Sequence, residues 1–251
     1  MSEGPQVKLI TERLQRQLQG KTISRCQTTR ADLENFTASI IGSSCQRIFC
    51  KGKHIFLDFG SGRVLHNHLL MRGRWKMTRD RYMLLPPEIW IALETMDITV
   101  YNYMGQVLKI LDEDQIQAQL DLLGPDIMSE KCTDGDIVRA LSGSEKLVGD
   151  LLLDQSILSG IGNVAKSESL FLARIHPEAK AGNLTQDKLT KLAFSIRRVM
   201  WDSYKCGGRW THRVYRRVNN HCFECGSRII KIRQGKQNRS TYFCPRCQPK
   251  I

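Results

Sequence analysis

Near the amino end, apolar residues recur at helical spacing. Leu9, Ile10, Leu14 and Leu18 follow a 3.6-residue period, with Pro5 where a helix tolerates proline and Gly20 where helices stop. The pattern predicts a helix over 7–19. From Thr22 to Leu111 the texture changes to short runs rich in β-branched and aromatic residues, broken by Gly and Pro: Arg47 to Cys50, His54 to Phe59, Ile89 to Leu93 and Ile98 to Tyr103. These runs predict an antiparallel sandwich or barrel. Beyond Asp112 helical periodicity returns and predicts helices over 112–123, 133–142, 146–156, 163–174 and 185–204. At the carboxyl end Ile229-Ile230-Lys231-Ile232, a Gln234-Gly235 turn and Thr241-Tyr242-Phe243 read as a β-hairpin. There is no internal repeat. The expected class is α+β: a β-rich part over 1–111, a helical part over 112–206 and a basic hairpin over 207–251.

Composition narrows the partners. The 251 residues carry 38 Lys and Arg against 25 Asp and Glu, a formal charge of +13. Residues 207–251 hold 11 of those basic residues and one acid, so polyanion contact should concentrate there. Nucleic acid is the first candidate and an anionic membrane the second. No stretch approaches the roughly 18 apolar residues a spanning helix needs, and the amino end lacks the basic-then-apolar pattern of a signal peptide. The expectation is therefore an intracellular protein, and no feature signals an oligomer, so a monomer is expected. Nine cysteines with no secretion signal fit reduced thiols better than a disulfide framework.

Four of those cysteines form two C-x-x-C pairs, Cys222 with Cys225 and Cys244 with Cys247, separated by 18 residues. Each pair can chelate from one tight knuckle, and four sulfurs complete a tetrahedron, which is the spacing of a structural Zn2+ site. Redox C-x-x-C pairs usually sit in a βαβ context, which is absent here. A tail this basic has few apolar residues, so metal affinity should contribute to its folding. A second candidate site is the turn Gly160-Ile161-Gly162-Asn163. Its glycines let backbone N–H groups at a helix start approach a phosphate, and Asn163 suits both an N-cap and a phosphate donor. Lys166 faces the same region, as a phosphate contact or as a solvated side chain. The start, Met1-Ser2-Glu3-Gly4-Pro5, offers a carboxylate beside an α-amine. Such an amine titrates near pH 7.7–8.0 and so can act as a nucleophile at neutrality.

Taken in order along the chain, these motifs resemble the zinc-finger DNA glycosylases of the formamidopyrimidine-DNA glycosylase and endonuclease VIII family. The resemblance is dense at both ends and sparse over 80–145. The start is similar to the family's Pro-Glu-Leu-Pro or Pro-Glu-Gly-Pro terminus. Residues 149–177, including Leu151-Leu152-Leu153-Asp154-Gln155 and Ile175-His176-Pro177, resemble its helix-two-turns-helix element, and 238–248 resemble its terminal finger. Further matches are Gly52-Lys53-His54 and His68-Leu69-Leu70-Met71-Arg72-Gly73.

The resemblance implies an N-terminal helix and β-sandwich, a helix-two-turns-helix domain and a zinc-finger hairpin. It implies a base-excision-repair glycosylase with AP lyase activity, working through a Schiff base and β-elimination on damaged DNA, with one structural Zn2+ on Cys222, Cys225, Cys244 and Cys247. The implied catalytic residues are Ser2, as the amine left after methionine removal, Glu3 as proton shuttle, and Lys53 near the damaged nucleotide's phosphate. Met71 would fill the void left by the extruded nucleotide, and Gly162, Asn163, Lys166 and Arg239 would bind DNA.

Three departures carry expectations of their own. Ser2 stands where most members have proline, and a primary amine forms an imine, not a permanently charged iminium. Residues 97–107 hold no Arg and Phe pair to support the opposite base, which implies weak opposite-base checking and tolerance of single-stranded or bubble DNA. The segment after Gly207-Gly208 is short where family members specialised for 8-oxoguanine carry a longer capping loop, so the resemblance implies a preference for oxidised pyrimidines and hydantoins. The competing readings are a DNA-damage-binding protein of the same fold that lost its chemistry, and an unrelated zinc-ribbon RNA or protein adaptor.

Overall fold

The computed structural model describes residues 2–60, 62–80, 84–105, 107–235 and 238–250. The chain divides into two compact units, one made of Ser2 and Val7–Asp121, the other of Glu3–Gln6 and the residues from Leu122 onward.

The first unit begins with most of α1 (Gly4–Leu18). This helix starts three residues earlier than the apolar period predicts, because Pro5 is accommodated in the first turn, where its missing N–H costs nothing. It continues through β1 (Arg25–Thr28), α2 (Glu34–Ile40), β2 (Arg47–Lys51), β3 (His54–Asp58), β4 (Val64–His68), β5 (Arg74–Thr78), β6 (Ile89–Glu94), β7 (Thr99–Tyr103) and β8 (Val107–Leu111), and closes with α3 (Glu113–Asp121). Among the described residues the strands form two four-stranded antiparallel sheets, ordered β1-β6-β7-β5 and β2-β3-β4-β8. Alternation sets their inward faces: in β5, Trp75 is buried while Arg74 and Lys76 are exposed. Ile48, Ile55, Leu57 and Leu65 from one sheet share a core with Trp75, Ile91, Leu93 and Val100 from the other. Val7, Leu14 and Leu18 of α1 and Phe36 and Ile40 of α2 complete it. The expected sandwich is therefore present, with β1, β4, β5, β8 and α2 added to the elements the sequence pattern picked out.

The second unit is helical: α4 (Asp134–Leu141), α5 (Val148–Leu151), α6 (Asn163–Leu172) and α7 (Gln186–Lys205) surround Ile137, Leu151, Ile161, Leu170, Leu192, Ile196 and Met200. α4 opens on a capping box in which Thr133 and Asp136 each accept from the other's backbone N–H. The helix expected over 146–156 is a single turn. Beyond Leu151 the chain bends, because Asp154 Oδ1 accepts from Ser156 N at 3.1 Å and from Ser156 Oγ at 2.6 Å, local bonds that compete with helix continuation. Gln155 pins the turn that leads into α6, accepting from Gly160 N at 3.0 Å and donating to the Ile161 carbonyl at 3.0 Å.

The hairpin β9 (Ile230–Gln234) and β10 (Arg239–Phe243) pairs in register from Arg239 opposite Gln234 to Phe243 opposite Ile230. Its own core is small, Phe171, Val214, Cys222, Ile229 and Cys244.

Candidate functional site

Glu3 is fully buried. Its carboxylate accepts from Gly162 N at 3.1 Å and Ala165 N at 3.1 Å through Oε2, and from Val164 N at 2.9 Å through Oε1. A helix start leaves backbone N–H groups without intrahelical partners, and its dipole favours a negative charge there. Three converging donors suit an ionised carboxylate, which only accepts. The third residue of the chain thus caps α6 across a separation of 159 residues.

This arrangement corrects two expectations. Asn163 is not the N-cap: Gly162 occupies that position, without a side-chain cap bond, and Asn163 is the first helical residue. Nor are the amides of Gly162, Val164 and Ala165 open to a phosphate, since Glu3 already accepts from all three. Gly162 is glycine for a steric reason, because a Cβ there would lie 2.3 Å from Glu3 Cδ. Gly4 is likewise held close, its N–H donating to the Gly160 carbonyl at 2.8 Å and a Cβ on it meeting Met128 and Met200 at 2.9 Å.

Asn163 and Lys166 face the hairpin. Asn163 Nδ2 donates to the Ser240 carbonyl at 2.6 Å, and Lys166 Nζ donates to Thr241 Oγ1 at 2.6 Å. The expectation of Lys166 as a phosphate contact or a solvated lysine is corrected: the side chain is fully buried. Burial pushes its ammonium down to about 8, opposed by the charges of Asp150 and Glu3 and reinforced by that of Arg239. Arg239 itself is exposed at the start of β10.

In the first unit, Ser2 N–H points to the Leu70 carbonyl at 3.4 Å. Leu70 holds an unusual φ of 45°, and its own N–H donates to His68 Nδ1 at 3.1 Å. Met71 comes directly after it and is 71% exposed, and Lys53 lies on the turn between β2 and β3, half-buried. Met1 lies outside the described residues.

The sequence reading missed a histidine cluster beside Lys53. Strand register sets His54 opposite His68 and Phe56 opposite His66. His54 Nδ1 and His66 Nε2 are 2.8 Å apart, and the His54 ring meets the His68 ring edge-on at 4.7 Å. Burial, neighbouring imidazoles and Lys53 press His54 down to about 3. Burial and nearby positive charge hold His66 and His68 at about 4. The signal was available in the i, i+12 and i, i+14 spacing of a hairpin, but only once its register is known.

The four cysteine sulfurs lie within 4.8 Å of one another, with Cys222 to Cys247 at 3.9 Å and Cys225 to Cys244 at 3.4 Å. A tetrahedral Zn–S distance of about 2.3 Å places sulfurs about 3.8 Å apart, so the cluster fits one zinc ion. Cys222, Cys225, Cys244 and Cys247 are the residues that hold it. The metal's contribution is structural, since it ties both knuckles to the hairpin's small core.

Comparison with known proteins agrees with this geometry. Residues 1–112 match the formamidopyrimidine-DNA glycosylase N-terminal domain, 123–214 the formamidopyrimidine-DNA glycosylase H2TH domain, and 222–250 the zinc finger found in FPG and IleRS. A probable endonuclease 8 2 of Streptomyces coelicolor is 32% identical, over 99% of this chain and 94% of that protein. The DNA-(apurinic or apyrimidinic site) lyase Nei2 of Mycolicibacterium smegmatis is 30% identical over 99% of both. The fold is that of the Lactococcus lactis Fpg solved in complex with DNA containing an abasic site, with a TM-score of 0.87, 24% identity, and coverage of 99% of this chain and 100% of that one.

Proposed function

The chain belongs to the formamidopyrimidine-DNA glycosylase and endonuclease 8 family, and we propose that it is a base-excision-repair DNA glycosylase and AP lyase that uses the amine of Ser2 and the carboxylate of Glu3. The observation that carries this reading is the buried Glu3 carboxylate, covalently next to residue 2 and fixed by three amides at the start of α6. A carboxylate held so firmly keeps its place while a proton comes and goes.

With Met1 removed, the Ser2 amine attacks C1′ of an extruded nucleotide. A nitrogen–C1′ bond forms, the damaged base leaves with a proton, and the sugar ring opens to an imine. Loss of a C2′ proton then expels the 3′ phosphate. Glu3 relays protons in these steps, and Lys53 steadies the phosphate of the damaged nucleotide. Asn163 and Arg239 hold the backbone, the latter by the two-pronged grip that suits a guanidinium. Met71, exposed just beyond the end of β4, fills the vacated space.

Oxidised pyrimidines and hydantoins are the favoured substrates, and the enzyme accepts single-stranded or bubble DNA. In support, β7 ends at Tyr103 and β8 begins at Val107, so the connection expected to carry the Arg and Phe pair is short.

Borohydride trapping on abasic-site duplex tests the chemistry, with intact mass reporting whether Met1 is gone. A zinc-loaded, processed preparation that neither nicks nor crosslinks defeats the proposal. A lesion panel on duplex and single strands tests the specificity: 8-oxoguanine as best substrate, or strict duplex dependence, overturns that part.

A further inference from the structure

Lys166 closes a chain of buried hydrogen bonds between α6 and the finger. Its ammonium donates to Thr241 Oγ1 at 2.6 Å, Thr241 Oγ1 donates to Gln234 Oε1 at 2.9 Å, and Gln234 Nε2 donates to the Pro177 carbonyl at 2.8 Å. One turn earlier on the same helix, Asn163 holds the Ser240 carbonyl. Residues 240 and 241 are therefore both fastened to α6, and they come immediately after Arg239 on β10.

The geometry points to Lys166 as a positioning residue for DNA binding, a buried ammonium that seats β10 on α6 and so sets Arg239 where it meets a phosphate. The inference rests on the proposed role of Arg239 in gripping DNA. Lys166 does not touch the nucleic acid. It acts on β10 in two ways, through its bond to Thr241 and through its charge beside Arg239.

Three charged groups act on this ammonium: Asp150 of α5, Glu3 at the head of α6, and Arg239 of β10. Arg239 is the one that opposes its charge. A phosphate paired with Arg239 cancels that opposition, so bound DNA keeps Lys166 protonated to higher pH than the free protein does. Binding therefore takes up a proton where the free lysine has lost it, and affinity declines as pH rises above about 8.

The test measures affinity for a duplex with a stable abasic-site analogue between pH 7 and 9.5, in the full-length zinc-loaded protein and in Lys166→Met and Thr241→Val. At pH 7, Lys166→Met should bind about tenfold more weakly, the size of a lost charge-assisted hydrogen bond. Its affinity should lack the decline above pH 8. Thr241→Val should bind more weakly and keep the decline, because the ammonium remains. An unchanged pH profile in Lys166→Met overturns the proposal.

Carbon-13 detection of lysine side chains in the wild-type protein decides the matter even where a variant fails to fold. One lysine should titrate near 8 and move upward with DNA, and a set of lysines all titrating in the usual range near 10.4 overturns it. Trapping of the same preparation separates this inference from the proposed function. Trapping without a DNA-responsive lysine removes only the positioning role, and the reverse outcome removes only the chemistry.

Discussion

Replacing Glu3 with glutamine keeps the side chain's shape and removes its charge and half its accepting capacity. In the native arrangement one oxygen accepts from Gly162 N and Ala165 N and the other from Val164 N. Glutamine can present its carbonyl to the first two, which leaves its own NH2 facing the Val164 N–H. Two buried donors, the Val164 N–H and the new NH2, then lack acceptors, at about 1–3 kcal/mol each, and the charge–dipole attraction at the helix start, up to about 2 kcal/mol, is lost as well. Glu3→Gln should therefore lower stability by at least about 3 kcal/mol, a fall in Tm of at least roughly 6–12 °C for a chain of this size. Calorimetry and urea titration of the zinc-loaded protein measure this independently of any reaction. A variant that loses trapping while melting within a degree of wild type would refute the argument, because the carboxylate would then contribute chemistry alone and no cap.

The three pressed-down histidines make the first unit acid-sensitive. Each is neutral in the fold, while the unfolded chain binds protons below about pH 6.5, so stability is present above that pH and is lost as pH falls toward 4. The slope should reach up to about 4 kcal/mol per pH unit between pH 6 and 4, and a flat Tm across that window refutes it. Arg239→Ala should weaken DNA binding about tenfold and reduce the salt slope by about one, while an unchanged slope would show that Arg239 meets no phosphate. Chelating the metal should unfold the hairpin and abolish duplex binding, read by circular dichroism and anisotropy, and return of both with added zinc is expected.

Legibility in the sequence tracked the range of the interactions. The cysteine pairs and the hairpin between them were readable because chelation and turn chemistry act over a few residues. β2, β3, β6 and β7 were readable from local composition. β4 was not, since Val64-Leu65-His66-Asn67-His68 is buried along most of its length and so shows no alternation. The cap on α6 escaped because Asn163 satisfies every local rule for an N-cap, yet Gly162 holds that position and a carboxylate 159 residues from it caps the helix. Lys166 misled in the same way: a lysine on a helix is read as solvated unless the hydroxyl that receives it, Thr241, is known to stand opposite.

Because Glu3 finishes a helix made long after it, the order of synthesis has consequences for the working end of the protein. At about 5–20 residues per second, some 160 residues take roughly 8–30 s to emerge from the ribosome after Glu3, and only then do the amides that receive it exist. Throughout that interval the nascent start stays open to the trimming that the proposed chemistry requires, and afterwards Glu3 is buried. Any leader or affinity tag fused ahead of Ser2 leaves the nitrogen acylated, so recombinant material for these assays should carry its tag at the carboxyl end.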